Sequence, residues 1–232
     1  MTNDINMNDV EGTPPEKPSI FGMIMNPTEQ FERIRKNPKI IVALIVVTLL
    51  TVVGMLLMLN GIDFIGDDPE LLSMDEEALV VITFITQISF ILVGIFTPII
   101  TILISSAIYF GIAKLIQSTV TFKQLFSMTT FIGIINAISI VINGLAFMLV
   151  GNADPDTLFT SVNSLIGAKG FLGGFLSSIE IFSIWTVIIS ALGLQIVAKF
   201  SKGWSWGLAI AFFAVMTIFT MISSGLSAMV GV

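Results

Sequence analysis

Apolar residues along this chain come in long unbroken runs, not in the spaced stripe of a surface helix or the alternation of a half-buried strand. The runs cover residues 40–59, 78–113, about 126–150, 172–198 and 204 to about 227. A helix crosses roughly 30 Å of hydrocarbon with about 20 residues, so four of the five runs read directly as single spans. The second run is too long. As one helix it would measure about 54 Å at 1.5 Å per residue. A hairpin of two short spans would need turn chemistry between its arms, and only Gly94 and Pro98 are available. The preferred reading is one span over 95–117, preceded by a helix lying on or above the membrane surface, with Pro98 marking the bend.

Polar segments divide these runs. Residues 1–18, rich in Asn, Asp, Glu, Gly and Pro, bury too little apolar surface to fold and are expected to form a disordered tail. The first apolar run lacks a small-residue cleavage site behind it, so no cleavable signal peptide is expected. An acidic loop with Asp63, Asp67, Asp68, Glu70, Asp75, Glu76 and Glu77 follows the first span. Between spans three and four, Asp154 is expected to cap a short surface helix that begins at Pro155. The connection between spans four and five is too short for a domain. The expected fold is all-α, a polytopic membrane bundle of five transmembrane helices. Its parts are the tail (1–18), an interfacial amphipathic helix with a basic junction (19–39) and a five-span membrane domain (40–232).

Composition agrees with that reading. Charged residues make up 11% of the chain and mean hydropathy is +0.99, whereas a soluble domain carries about 25% charged residues. Five spans put Lys17, Arg33, Arg35, Lys36, Lys39, Lys114, Lys123, Lys199 and Lys202 on one side, leaving only Lys169 of the ten cations on the other. The positive-inside rule makes the cation-rich side cytoplasmic. The N-terminus is then cytoplasmic and the C-terminus outside. A hairpin at 78–113 would scatter the cations over both faces.

The stretch "NPTEQFERIRKNPK" explains why the charge collects before the first span. Asn26 is a helix cap, Pro27 the first helical residue, and Glu29 stands three residues on, as in a capping box. Phe31 and Ile34 supply an apolar stripe. Arg33, Arg35, Lys36 and Lys39 are candidate membrane-surface anchors that reach lipid phosphates.

Polar residues within the spans fall into seams. At 100° per residue, Asn136, Ser139 and Asn143 share an arc of roughly 60° with Gly133 beside it. Ser183, Thr186, Ser190 and Gly193 do the same in span four. Thr97, Thr101, Ser105 and Tyr109 recur along span two, and Thr217, Thr220 and Ser224 along span five. Close packing with interhelical hydrogen bonds accounts for most of these. Glu180 is the one acid inside a predicted span, and a carboxylate in lipid is a functional candidate by default. It is expected to reach the interface or accept from a neighbour such as Asn143. Glu180, Asn136, Asn143 and Trp185 are the candidate intramembrane functional residues, with Trp185, Trp204 and Trp206 also read as packing rings and interface anchors.

The chain has no His and no Cys, which removes nucleophile pairs built on them, thiolate metal sites and the commonest general base. No P-loop appears, the acids at 63–77 lack EF-hand spacing, and basic patches with interleaved aromatics for nucleic acid are missing. A non-enzyme without cofactor, metal or nucleic acid is expected.

Three stretches carry a family resemblance over about residues 20–227. They are "NPTEQFERIRKNPKI", "STVTFKQLFSMTTFIGIINAI" and "IEIFSIWTVIISALGLQIVAKFSKGWSWGLAI", the last with an acidic-x-Phe-x-x-Trp and a Gly-Leu pattern. The chain resembles the Yip-domain family of multispanning membrane proteins. That family often has Asp where Glu180 stands and a proline in span three, where this chain has Ile134-Ile135-Asn136. The resemblance implies a five-span bundle with a cytosolic N-terminus and supplies no catalytic residues. Eukaryotic members work with small GTPases in vesicle traffic. The lean loops here look bacterial, and bacterial members resemble accessory subunits associated with ABC exporters in envelope defence. The implied partners are the lipid bilayer and ABC exporter subunits in the cytoplasmic membrane, with a homo-oligomer left open. The competing expectation is a small transporter or channel with a polar route near Glu180, Asn136 and Asn143.

Overall fold

The computed structural model describes residues 16–61, 71, 73–151 and 158–230, and the expected tail, most of the acidic loop and the Asp154–Pro155 cap lie largely or wholly outside these. The described elements are helical: α1 (Ile20–Met25), α2 (Pro27–Lys36), α3 (Ile41–Leu59), α4 (Glu76–Leu115), α5 (Phe122–Val150), α6 (Asn163–Ile166), α7 (Gly170–Ser178), α8 (Ile181–Ile196) and α9 (Lys202–Val230). Four of them, α3, α4, α5 and α9, are long and apolar enough to cross a membrane. The expected fourth span is represented by the shorter apolar helix α8 with α7 ahead of it.

The hub is α5, which packs against α3, α4 and α8 and receives α1 and α2 at its N-terminal end. It starts at a complete capping box. Thr121 Oγ1 accepts from Gln124 N at 3.3 Å, and Gln124 Oε1 accepts from Thr121 N at 2.9 Å. Its crossing with α3 depends on two glycines. A Cβ added to Gly144 would stand 2.2 Å from the Gly54 carbonyl oxygen, so the backbones touch and no side chain fits. At the far side of the molecule Gly174 of α7 meets Met221 Cα at 2.7 Å from the position of its absent Cβ, seating α7 on α9.

Three expectations change. The apolar run at 78–113 is neither a hairpin nor a span behind a separate surface helix. It is one continuous helix with Pro98 inside it, about 60 Å long at 1.5 Å per residue. Its buried residues, Gly94, Ile102, Ser106, Tyr109 and Ala113, all lie at or after Gly94. Gly94 packs on Val52 and Met55 of α3. About five turns of α4 precede that contact, whereas α3 continues only about one turn past Met55. The first half of α4 therefore overhangs the bundle, with Val80, Phe84, Ile85 and Leu92 exposed.

The fourth span is not a single helix over 172–198. It breaks after Ser178 and resumes at Ile181, with Glu180 in an extended conformation (φ −123°, ψ 147°).

The N-terminal amphipathic segment differs as well. Asn26 caps α2 as expected, with Pro27 first in the helix and Glu29 N donating to Asn26 Oδ1 at 3.4 Å. However, Phe31 and Ile34 are fully buried in the protein core and not turned to lipid. Phe31 fits against Gly193 of α8 and Met23 fills the same core. Arg33 is occupied by acids, Glu29 at 2.5 Å and Glu16, while Arg35, Lys36 and Lys39 stay exposed. The segment is also tied to α5, since Gln124 Nε2 donates to the Arg35 carbonyl at 2.7 Å and Ser127 Oγ to that of Lys39 at 2.6 Å. Ser118 Oγ donates to the Ala198 carbonyl at 2.7 Å. These bonds gather the N-terminal helices and the turns around 116–121 and 197–201 at one end of the bundle, and nine of the ten cations lie at that end. Lys169 belongs to the other end.

Candidate functional site

The break in the fourth span creates the site. A helix interrupted at membrane depth leaves backbone groups that must be paired within the protein. Here the chain just after the 151–157 connection does the pairing: Val162 N donates to the Ile179 carbonyl at 3.0 Å, and Ser161 and Glu180 form an antiparallel bridge. The Glu180 carbonyl accepts from Ile184 N at 3.0 Å and so starts α8. Glu180 is thereby held at the N-terminus of a helix, where the helix dipole favours a negative charge.

The carboxylate is buried, 6% exposed. Its Oε1 accepts from Ser139 Oγ, from Thr160 Oγ1 at 2.7 Å and from Asn143 Nδ2 at 3.5 Å; Oε2 accepts from Ser183 Oγ at 3.0 Å. Asn143 is satisfied in turn. Its Nδ2 donates to the Ser139 carbonyl at 3.0 Å and to Thr160 Oγ1 at 2.8 Å, and its Oδ1 accepts from Thr160 N at 3.3 Å. Among the described residues the carboxylate has four partners, all neutral. The donors crowd Oε1, which takes three of the contacts, while Oε2 takes one. The cluster ties the 158–162 segment, α5 and α8 together through one residue.

Deeper in the bundle the same seam lines a cavity of about 330 Å³ between α4, α5, α8 and α9. Thr101, Ser105 and Tyr109 come from α4, Thr129, Gly133 and Asn136 from α5, and Ser183, Thr186 and Ser190 from α8. The α9 wall is apolar, with Phe212, Phe213 and Met216. Tyr109 and Phe212 are in ring contact, centroids 4.9 Å apart. Thr129 is turned toward α4 by its contact with Ser106 at 2.6 Å. Ser183 links the two loci, lining the cavity and donating to Glu180.

A Yip1 domain model matches residues 21–223. The chain belongs to the Yip1 family. It is also 29% identical to the membrane protein YknW of Bacillus subtilis over 98% of this chain and 99% of that protein. No solved structure matches it. The multi-pass membrane fold and the family therefore rest on helix length, composition and the match over nearly the whole chain.

The sequence-predicted residues divide. Glu180 and Asn143 come together as expected, although Asn143 is the longest of the four contacts. Asn136 shares the α5 face of Asn143 but pairs with Thr186, whose Oγ1 donates to Asn136 Oδ1 at 2.8 Å. Trp185 is 37% exposed and is not among the partners of Glu180. Thr97 and the span-five residues Thr217, Thr220 and Ser224 do not line the cavity. Thr160 was missed. It lies in a connection with no apolar periodicity, and only the break in span four brings it to Glu180. The four Gly and Ser residues of "GGFLSS" just before Ile179 are the signal of that break.

Proposed function

We propose that the protein is a non-catalytic accessory subunit of a bacterial cytoplasmic-membrane complex. Its partner is the membrane domain of an ABC exporter that protects the envelope against antimicrobial peptides or toxins. The observation that carries this reading is the overhanging half of α4. Val80, Val81, Phe84 and Ile85 stand exposed on the first half of α4, and apolar side chains in that number belong in contact with other apolar surface. Exporter transmembrane helices supply such a surface within the same bilayer. The basic end of the bundle, with Arg35, Lys36 and Lys39 exposed, faces the cytoplasm in this reading and meets anionic headgroups.

Photo-crosslinking tests it. A photoreactive residue at Phe84 or Ile88, in cells co-expressing the exporter, should trap an exporter subunit, while one at Ile45 of α3 should trap none. Equal trapping at all three positions, or none under mild extraction, would reject the partner. Orientation is tested separately, and the cysteine-free chain makes it clean. A membrane-impermeant thiol reagent added to intact cells should label Ser164→Cys and leave Ser201→Cys unlabelled.

A second reading, a small transporter or channel, is favoured by Ser183, which joins the cavity to the buried carboxylate. Liposome flux compared with Glu180→Gln decides it, since flux no greater than in empty liposomes removes that reading.

A further inference from the structure

The cavity asks for a ligand of particular chemistry. No charged side chain lines it. Asn136 stands fourteen residues from either end of α5, roughly 21 Å along the helix, which places its amide near mid-depth of the membrane. That amide is exposed on the cavity side, and among the described residues its one hydrogen bond is accepted, from Thr186. Its two N–H donors are unspent. Hydrocarbon chains cannot accept from them, and an amide left without partners in lipid is costly. Phospholipid carbonyls do not answer this need, because they stay in the headgroup region and not in the middle of the hydrocarbon. The occupant must therefore carry its acceptor oxygen into the core of the bilayer.

We propose that the cavity binds an uncharged, membrane-soluble ring carbonyl compound with an apolar tail, the chemistry of an isoprenoid quinone. Asn136 Nδ2 donates to one ring carbonyl, and Ser105 offers a hydroxyl on the α4 wall. Phe212 and Phe213 give the flat apolar wall that a planar ring packs against. A volume of about 330 Å³ falls at the small end of the range for ligand pockets and suits a ring head, leaving the tail in lipid. The inference is independent of the exporter partnership.

The test uses the full chain in lipid nanodiscs with Trp204→Phe and Trp206→Phe, so that Trp185, next to Thr186, is the sole fluorophore. Menaquinone-4 is titrated at fixed lipid. Saturable quenching is expected, with the midpoint raised at least about tenfold by Asn136→Leu, the equivalent of one good hydrogen bond. Ser105→Phe, which fills the cavity, should abolish it. Quenching that rises linearly, or that saturates equally in the Asn136→Leu protein, overturns the proposal. If either variant does not fold, the unsubstituted cavity still decides. Excess phytol, which has the chain but no ring carbonyl, should leave the quenching in place, and displacement by phytol rejects ring recognition.

Discussion

Asn136 and Asn143 lie two turns apart on one face of α5, and both look toward the α8 side of the bundle. Asn143 is 3% exposed, with amide and carbonyl both engaged by Ser139, Thr160 and Glu180. Asn136 opens on a cavity and holds a single bond to Thr186. The residue type and the helix face are shared; the two differ in depth, by about 10 Å along the axis, and in the side chains that surround them. A satisfied polar network fixes structure, whereas a half-satisfied one leaves polar groups that cost free energy until a partner reaches them. That contrast assigns the two loci to different work: the Glu180 cluster holds the bundle, and the Asn136 cavity is available to a ligand.

The largest effect should come from destroying the frame that seals Asn143. Gly144→Leu drives a side chain into the Gly54 carbonyl and separates α3 from α5. A loss above about 4 kcal/mol is expected, since overpacked backbone contacts head the list of severe substitutions. Size-exclusion chromatography in mild detergent should show aggregate in place of a single peak. A monodisperse Gly144→Leu protein would mean that the α3–α5 crossing is not as tight as described.

Next comes Glu180→Leu. It leaves the hydroxyls of Ser139, Thr160 and Ser183 without their acceptor, at a cost of about 3 kcal/mol. The same change should free the 158–169 segment. Trypsin added to the detergent-solubilised protein should then cut after Lys169 faster than in the unsubstituted protein, with Glu180→Gln intermediate. Unchanged cleavage would show that the carboxylate does not hold the segment.

Much of this frame is legible in the sequence, and the parts that are not share one cause. Long apolar runs define α3, α5 and α9 within a few residues, and the Asn26–Pro27–Glu29 signal places α2. The period of 3.6 correctly puts Gly133, Asn136, Ser139 and Asn143 on one face. Periodicity cannot say whether an apolar face meets lipid or protein, because the two solvate it alike. For that reason Phe31 and Ile34 read as lipid-facing when they are core. The same ambiguity hides the overhang of α4: apolarity past the bilayer thickness looks like a second element, and Pro98 looks like its boundary, though the helix runs through it. The break at Glu180 is local, made by small residues whose effect depends on Ser161 and Val162 arriving from elsewhere in the chain. Nothing near Thr160 in the sequence marks it as a partner of a residue twenty positions on.

Asn143→Ala should cost less than removing Glu180, about 1.5 kcal/mol, near the upper range measured for hydrogen bonds between membrane helices. Reversible unfolding by denaturing detergent, read by circular dichroism, gives the value. A cost equal to that of Glu180→Leu would show that the two act as one indivisible unit.

Asn136→Leu is the sharpest test, because almost nothing is expected. It removes one bond to Thr186, and in exchange turns a polar group at mid-membrane into one the lipid solvates well. The two terms oppose each other, so unfolding should shift by no more than about 0.5 kcal/mol. Thr186 can meet its own needs by bonding the carbonyl four residues back, as hydroxyls in helices do. If Asn136→Leu instead destabilises as much as Asn143→Ala, both amides are structural, and the cavity is a packing fault and not a site. Near-neutral stability together with weakened menaquinone-4 binding would separate a residue kept for a ligand from one kept for the fold, seven positions away on the same helix.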